Sequence, residues 1–331
     1  MKKVNVAIVG ATGMVGRTFL KVLEDRNFPF ENLYCFASKK SAGEKVVCKG
    51  NEYIVEELSE NSFDRDIDIA LFSAGGDISL KFAPIAASKG VIVIDNSSAF
   101  RMDDDIPLVV PEVNPDDIFK HKGIIANPNC STIQALVALK PLHTKYGINR
   151  IVYSTYQAVS GSGVKGKADL EQGIAGKETF TAYPHSIANN CLPHIDVFLE
   201  NGYTKEEMKM IKETQKILGD DTLKITATTV RVPMFDCHSE SINVELKTPF
   251  EVEDIKKLMA SSQGIILRDD PANNVYPLAT EAIGTDEVYV GRIRRDFSID
   301  NGLNMWVVAD NIRKGAASNA IQIAEKIIEK M

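Results

Sequence analysis

The 331-residue chain lacks most of what would tie a protein to a membrane, an oxidising compartment or a polyanion. No apolar run approaches the ~18 residues that span a bilayer. The opening Met1-Lys2-Lys3-Val4 passes directly into a short strand-like run, with no signal-peptide core. Five cysteines (Cys35, Cys48, Cys130, Cys191 and Cys237) are odd in number, scattered and never spaced as CxxC. That pattern argues against a disulfide framework and against structural zinc, and it fits a reducing cytoplasm. Basic residues number 38 against 45 acidic ones, a net charge of −7, so no cationic excess is present to grip nucleic acid or an anionic membrane. Repeats, low-complexity tracts and long linkers are also missing.

What remains is an ordinary globular composition, 44% hydrophobic and 25% charged, long enough for two cores. Up to about residue 130, short apolar runs alternate with helical stretches: Val4–Val9, Leu33–Ala37, Ile67–Phe72, Val91–Ile94, Leu108–Val110 and Ile124–Ala126. Runs so short, bounded by Gly, Asp and Asn, predict strands buried on both faces of a parallel sheet. Met14–Leu23 carries Met14, Val15, Phe19, Val22 and Leu23 at helical spacing, which gives a strand–helix–strand unit. Beyond residue 149 the strands lengthen and alternate, over Asn149–Gln157, Leu223–Val232, His238–Lys247, Glu287–Arg294 and Asn304–Val308. These predict a mixed or antiparallel sheet with one covered face, under helices near Lys205–Leu218 and Glu251–Ser261. A final helix over Gly315–Lys330 closes the chain. The expected architecture is α/β: a Rossmann-like parallel-sheet domain over residues 1–129, with 313–331 packing back on it, and an α+β domain with a mixed or antiparallel sheet over 130–312.

After the first strand comes Gly10-Ala11-Thr12-Gly13-Met14-Val15-Gly16. Glycines at this spacing allow a tight turn and close approach of a pyrophosphate to the N-terminus of the next helix. A plain strand-to-helix turn would read the same in isolation, but the flanking strand and amphipathic helix favour a dinucleotide site. The second strand runs into Ser38-Lys39-Lys40-Ser41, with no acid before Glu44. Two lysines and two serines suit the 2′-phosphate of NADP better than the free ribose of NAD; a solvated loop is the alternative.

Cys130 lies in Asn127-Pro128-Asn129-Cys130-Ser131-Thr132, after a buried strand and before a helix. The positive end of a helix dipole favours a thiolate, and free backbone N–H groups there can hold an oxyanion. A small buried hydrophobe is the competing reading. Of the five histidines, His238 opens a strand on the same face as Ile242, Val244 and Leu246 and so points inward. Arg231 shares a face with Ile225, Ala227 and Thr229, where it needs an anion, either a carboxylate of this chain or one on a substrate. Gln157 ends a strand before the flexible Ser160-Gly161-Ser162-Gly163, and Arg101 follows the end of a parallel strand. Glu206, Lys209, Glu213 and Lys216 form one helical stripe, the usual mark of a solvated, salt-bridged face.

Taken together these segments resemble the aspartate-semialdehyde dehydrogenase family over nearly the full length. The resemblance is carried by the glycine turn, Ser73-Ala74-Gly75-Gly76, the Cys130 motif and Tyr156-Gln157-Ala158-Val159-Ser160-Gly161. It continues through Glu206–Met210, Val230–Pro233, His238–Ser241, the arginines near Arg292 and the run from Asp310 to Ala317. The related N-acetyl-gamma-glutamyl-phosphate reductases share the architecture but differ at the cysteine motif. The resemblance implies NADPH-dependent conversion of aspartyl-4-phosphate to aspartate 4-semialdehyde, on the route to lysine through diaminopimelate, threonine and methionine. It implies Cys130 as acyl-carrying nucleophile, His238 as acid/base and Gln157 as the residue that orients the acyl group. It further implies Arg231 on the substrate carboxylate, Glu206 on its ammonium, and Arg101 and Lys209 on phosphate, against the solvated-stripe reading. Cofactor contacts would come from Gly10, Thr12, Gly13, Met14, Val15, Ser38, Lys40, Ser41, Ala74, Gly75, Ser160, Gly161 and Asn311. A homodimer or homotetramer is implied, and no metal. The stretch from Gly163 to Tyr183 is shorter than in many bacterial members.

Overall fold

The computed structural model describes residues 3–177 and 180–331. The chain divides into two units, residues 1–129 with 316–331, and residues 130–315.

The first unit is built on β1 (Val4–Val9), α1 (Met14–Asp25), β2 (Phe30–Ala37), β3 (Lys45–Cys48), β4 (Asn51–Glu57), β5 (Ile69–Phe72), α2 (Gly76–Ser88), β6 (Ile92–Asp95) and β7 (Ile124–Ala126). Its seven strands run in the order β3-β4-β2-β1-β5-β6-β7, parallel except for the β3–β4 hairpin. Every residue of β1 is buried, as a strand covered on both faces requires. α1 covers the sheet with Phe19, Leu20, Val22 and Leu23, each worth ~1.5–3 kcal/mol when fully buried. The C-terminal helix (Ser318–Ile328) adds Ile321, Ile323, Ala324, Ile327 and Ile328 to the same core. From β1 the chain moves to β2 and β4 on one side, then returns to β5, β6 and β7 on the other. The strand order therefore reverses between β1 and β5, the place where open α/β sheets bind ligands beyond their carboxyl ends.

Two expectations fail here. Leu108–Val110 is buried but is no strand: it makes a single bridge, Leu108 to Ala126. The Asn114 side chain accepts from the Val110 N–H at 3.0 Å and donates to the Leu108 carbonyl at 2.9 Å, which removes the groups a ladder would need. The β3–β4 hairpin departs from the expected strand list, because its two-residue turn, Lys49-Gly50, has both residues at positive φ without the usual Asn-Gly signal.

The second unit carries α3 (Cys130–Tyr146), β8 (Ile148–Gln157), α4 (Gly163–Ile174), α5 (Lys205–Leu218), β9 (Lys224–Arg231), β10 (His238–Leu246), α6 (Val252–Ser261), β11 (Ile265–Leu267), β12 (Val288–Asp296) and β13 (Gly302–Ala309). Its six strands run β11-β12-β13-β10-β8-β9, a mixed sheet. α5 begins in a capping box, Thr204 and Glu207 each bonding the other's backbone, and ends at Gly219 in the left-handed region. One sheet face lies under α3. The other presents Tyr156 against Trp306, ring centroids 5.3 Å apart, beside a hollow of about 480 Å³ lined by Met234, Tyr276, Leu278 and Met305. The expected final helix starts later than Gly315, because Arg313–Ala317 form a π-helical turn. Among the described residues no helix is long and apolar enough to cross a membrane.

Candidate active site

In the first unit the glycine turn closes on the loop after β5. Gly10 has φ +91°, and a Cβ there would overlap the carbonyl oxygen of Ser73. A Cβ at Gly16 would overlap the Gly10 carbonyl, so bare glycines let α1 begin directly on the turn. Gly13 caps α1 through its backbone, Thr12 Oγ1 meets Ser41 Oγ at 3.3 Å, and Met14 and Val15 are half-buried in the first turn. Ser38 and Lys40 are exposed at the end of β2, and Ala74 and Gly75 are exposed at the end of β5. Gly75, at φ +93°, has open space where a side chain would stand. The turn, the helix start and the cationic rim thus leave backbone room and charge where a dinucleotide phosphate would lie, and they fit the group. Farther along the same edge, Asp95 is buried and accepts from Ser79 and Ser97 at 2.6 Å. It anchors the loop leading to Arg101, whose Nε and Nη2 donate to the carbonyls of Asn127 and Asn96 at 2.9 Å.

In the second unit the inward face of the sheet is graded. Its first row holds His238, Gln157 and Arg231; the second Glu240, Thr155 and Thr229; the third Ile242, Tyr153 and Ala227. Polar groups therefore gather at one end of an otherwise apolar face, all of them buried. Cys130 begins α3 and is half-buried, so its thiol lies at the positive end of the helix dipole, beside the first-turn N–H groups. By contrast, burial pushes the thiols of Cys35 and Cys48 up to about 12 and about 11, and raises that of Cys237 also. Gly315 packs on Cys130: a Cβ there would stand 2.8 Å from the Cys130 Cβ.

Gln157 Nε2 donates to Ser131 Oγ, next to Cys130, and to Glu206 Oε1 at 3.2 Å. Lys209 Nζ bonds Glu206 Oε2 at 3.1 Å and Asp196 Oδ2 at 2.8 Å. Burial works against the Lys209 charge, but the two carboxylates outweigh it and raise its pKa. The solvated-stripe reading is thereby corrected: Glu206 and Glu213 are buried, because α5 turns that stripe towards the sheet and α3. Arg231 Nη1 donates to the Ala158 carbonyl at 2.7 Å, while its buried Nε has no partner among the described residues. His238 Nδ1 accepts from the Ala158 N–H at 3.0 Å, which leaves the neutral ring's proton on Nε2, also without a partner among the described residues. Burial, reinforced by the Arg231 cation and opposed by the Cys237 carbonyl, holds this imidazole well below its usual pKa.

Gly161 lies against this row; a Cβ there would come within 2.8 Å of Arg231 Nη1 and 3.3 Å of His238 Nε2. Ser160 and Asn311 bond each other, at 3.0 and 3.1 Å, and Asn311 Oδ1 also receives the Cys237 N–H. One unit thus brings together Cys130, Gln157, Arg231, His238, Glu206, Lys209, Ser160, Gly161 and Asn311. Arg101, the glycine turn and the Ser38–Ser41 segment belong to the other. Sequence reasoning passes over Ser131, Asp196 and Gly315; the residue after a helix-starting cysteine and the glycine of Lys314-Gly315-Ala316 are signals that could find the first and the last.

Comparison with known proteins identifies the family of the chain. Residues 5–121 match the semialdehyde dehydrogenase NAD binding domain, and residues 139–314 match the semialdehyde dehydrogenase dimerisation domain. The aspartate-semialdehyde dehydrogenase of Aquifex aeolicus is 58% identical, with 98% of each chain covered. That of Bacillus subtilis is 50% identical over 98% of this chain and 97% of its own. Among solved structures, Vibrio cholerae aspartate semialdehyde dehydrogenase II complexed with ASA has a TM-score of 0.96 at 48% identity, covering 99% of both chains. The Candida albicans enzyme with NADP has a TM-score of 0.78 at 27% identity over 98% of both chains.

Proposed function

The chain belongs to the aspartate-semialdehyde dehydrogenase family, and from that premise we propose that it reduces L-aspartyl-4-phosphate to L-aspartate 4-semialdehyde with NADPH. Cys130 attacks the acyl phosphate, the carbonyl–oxygen bond to phosphate breaks, and phosphate leaves a thioester on sulfur. Splitting the reaction at a thioester gives two lower barriers in place of one. NADPH, when bound, supplies the hydride that the chain itself lacks. N–H groups at the start of α3 hold the developing oxyanion. Collapse of the thiohemiacetal then breaks the carbon–sulfur bond, and His238 moves the proton between its Nε2 and the sulfur or oxygen.

Arg231 meets the substrate α-carboxylate and Glu206 its ammonium, while Lys209 and Arg101 serve the phosphate. Gln157 orients the acyl group from its anchorage on Ser131 and Glu206. The observation that carries the substrate class is the buried Arg231 guanidinium, its Nε unpaired among the described residues, in the row that also holds His238. A buried orphan donor on a cation calls for an anion that arrives with a ligand. Gly10, Thr12, Gly13, Met14, Val15, Ala74 and Gly75 would cradle the pyrophosphate, and Ser38, Lys40 and Ser41 the 2′-phosphate. Ser160, Gly161 and Asn311 would meet the nicotinamide end. A cytoplasmic homodimer or homotetramer completes the reading, supported by the dimerisation-domain match and the exposed aromatic sheet face.

The test is the reverse reaction: aspartate semialdehyde, NADP and phosphate, followed by NADPH absorbance, with Cys130→Ala alongside. Phosphate-dependent turnover that vanishes in the variant is expected. A folded wild type that turns over N-acetylglutamate semialdehyde instead would overturn the substrate assignment.

A further inference from the structure

Directly beneath His238, Gln157 and Arg231, the inward face places Glu240, Thr155 and Thr229. Glu240 has no exposed surface, and neither of its carboxyl oxygens has a hydrogen-bond partner among the described residues. Beside it lies the amide of Gln134, one turn along α3 from Cys130. Gln134 Nε2 donates to the main-chain carbonyl of His238 at 3.3 Å, while its Oε1 has no partner either. The two carboxyl oxygens and Gln134 Oε1 are thus three buried acceptors with no partner in hydrogen-bond geometry among the described residues, although the Gln134 amide lies near enough to the carboxyl to favour its charged form against the larger effect of burial. Tyr153, the titratable group on β8 that feels Glu240, turns its hydroxyl to Thr214 at 3.0 Å instead.

A carboxylate here would be a buried charge with no hydrogen bond, among the costliest arrangements a protein can hold. One added proton resolves the conflict, because it turns one of the three acceptors into a donor. We propose that Glu240 is a positioning residue: a neutral carboxylic acid whose O–H donates to Gln134 Oε1, so that the amide is held in the orientation that grips the main chain of His238. Burial pushes the Glu240 carboxyl well above its usual range, in keeping with this. A neutral acid also matters for charge. An ionised carboxylate two residues from His238 on the same face would draw the imidazole towards its protonated form. The inference rests on the reading of His238 as the proton-transfer group, but its protonation claim stands apart from any substrate.

Infrared spectroscopy of the substrate-free wild type at neutral pH is the first arm. The expected result is a carboxylic-acid C=O stretch that disappears in Glu240→Gln. The second arm is kinetic. Glu240→Ala lowers kcat by about tenfold with little change in KM, the rate equivalent of one lost buried hydrogen bond. Glu240→Gln, whose amide can donate as the acid does, restores most of that loss and leaves the acid limb of the kcat–pH profile where it was. Absence of the acid band at neutral pH, or a band that persists in Glu240→Gln, overturns the proposal. So does an acid limb displaced to lower pH in Glu240→Gln, which would show that a negative charge had been removed. Should Glu240→Ala fail to fold, the wild type and Glu240→Gln still decide the matter. If the wild type instead fails on aspartate semialdehyde, the catalytic reading falls, while the infrared band still decides whether Glu240 carries a proton.

Discussion

The two sheets build their functional edges by opposite means. In the first unit the edge beyond β1 and β5 works by absence: Gly10 and Gly16 leave no side chain, and the backbone itself offers the binding surface. In the second unit the edge works by presence: buried charged and amide groups stand in a row above an apolar face. Backbone sites tolerate no Cβ but need few particular side chains. Side-chain sites tolerate little change of chemistry but owe their power to burial, which a sequence does not print.

Substitutions that fill space or change chemistry break this contrast in order of effect. Gly10→Ala adds a methyl onto the Ser73 carbonyl at a positive φ. Strain of about 1–3 kcal/mol predicts cofactor binding weakened by roughly ten- to a hundredfold. Titration of NADPH fluorescence checks it, with the reactivity of Cys130 towards an alkylating agent unchanged. Arg231→Lys keeps the charge but loses the fork. It is expected to raise KM for aspartate semialdehyde by about tenfold or more, with a smaller effect on kcat. A matching fall in kcat alone would place Arg231 on the transition state instead. Lys40→Ala, on an exposed rim, is expected to raise KM for NADP by about threefold and leave that for NAD alone.

A pH experiment sharpens the comparison from the other side. His238 is neutral when folded because its pKa is depressed, whereas the unfolded chain takes up the proton near 6.5. The unfolded state therefore binds more protons below about pH 6.5, and this group's contribution to stability is lost as pH falls. Thermal melts of wild type and His238→Gln between pH 5 and 7.5 should converge at the acid end. Parallel curves would place the imidazole in a wetter setting.

The same contrast decides what could be read from sequence. The glycine turn, the parallel strands of the first unit and the cap-bounded helix Lys205–Leu218 are local, so pattern and turn chemistry suffice. Alternation alone puts His238 and Arg231 on the inward face. The failures come from tertiary contacts or from atypical turn residues. Leu108–Val110 looks like a strand until the Asn114 side chain takes its hydrogen bonds. The Lys49-Gly50 turn hides a hairpin behind an unusual dipeptide. Glu206 and Glu213 carry the pattern of a solvated stripe, and what buries them is α3 and the sheet, distant in sequence. Glu240 obeys the alternation that reveals His238, yet its lack of any donor becomes visible only when Gln134 is placed beside it.

The central claim is that Cys130, at the start of α3, carries the acyl group. The measurement that reaches it most directly is intact-protein mass spectrometry after acid quench, with aspartate semialdehyde and NADP added and phosphate withheld. A single aspartyl adduct mapping to Cys130, absent in Cys130→Ala and released by phosphate, is the predicted result. An unmodified Cys130 in protein that still makes NADPH, or an adduct on another residue, would contradict the account.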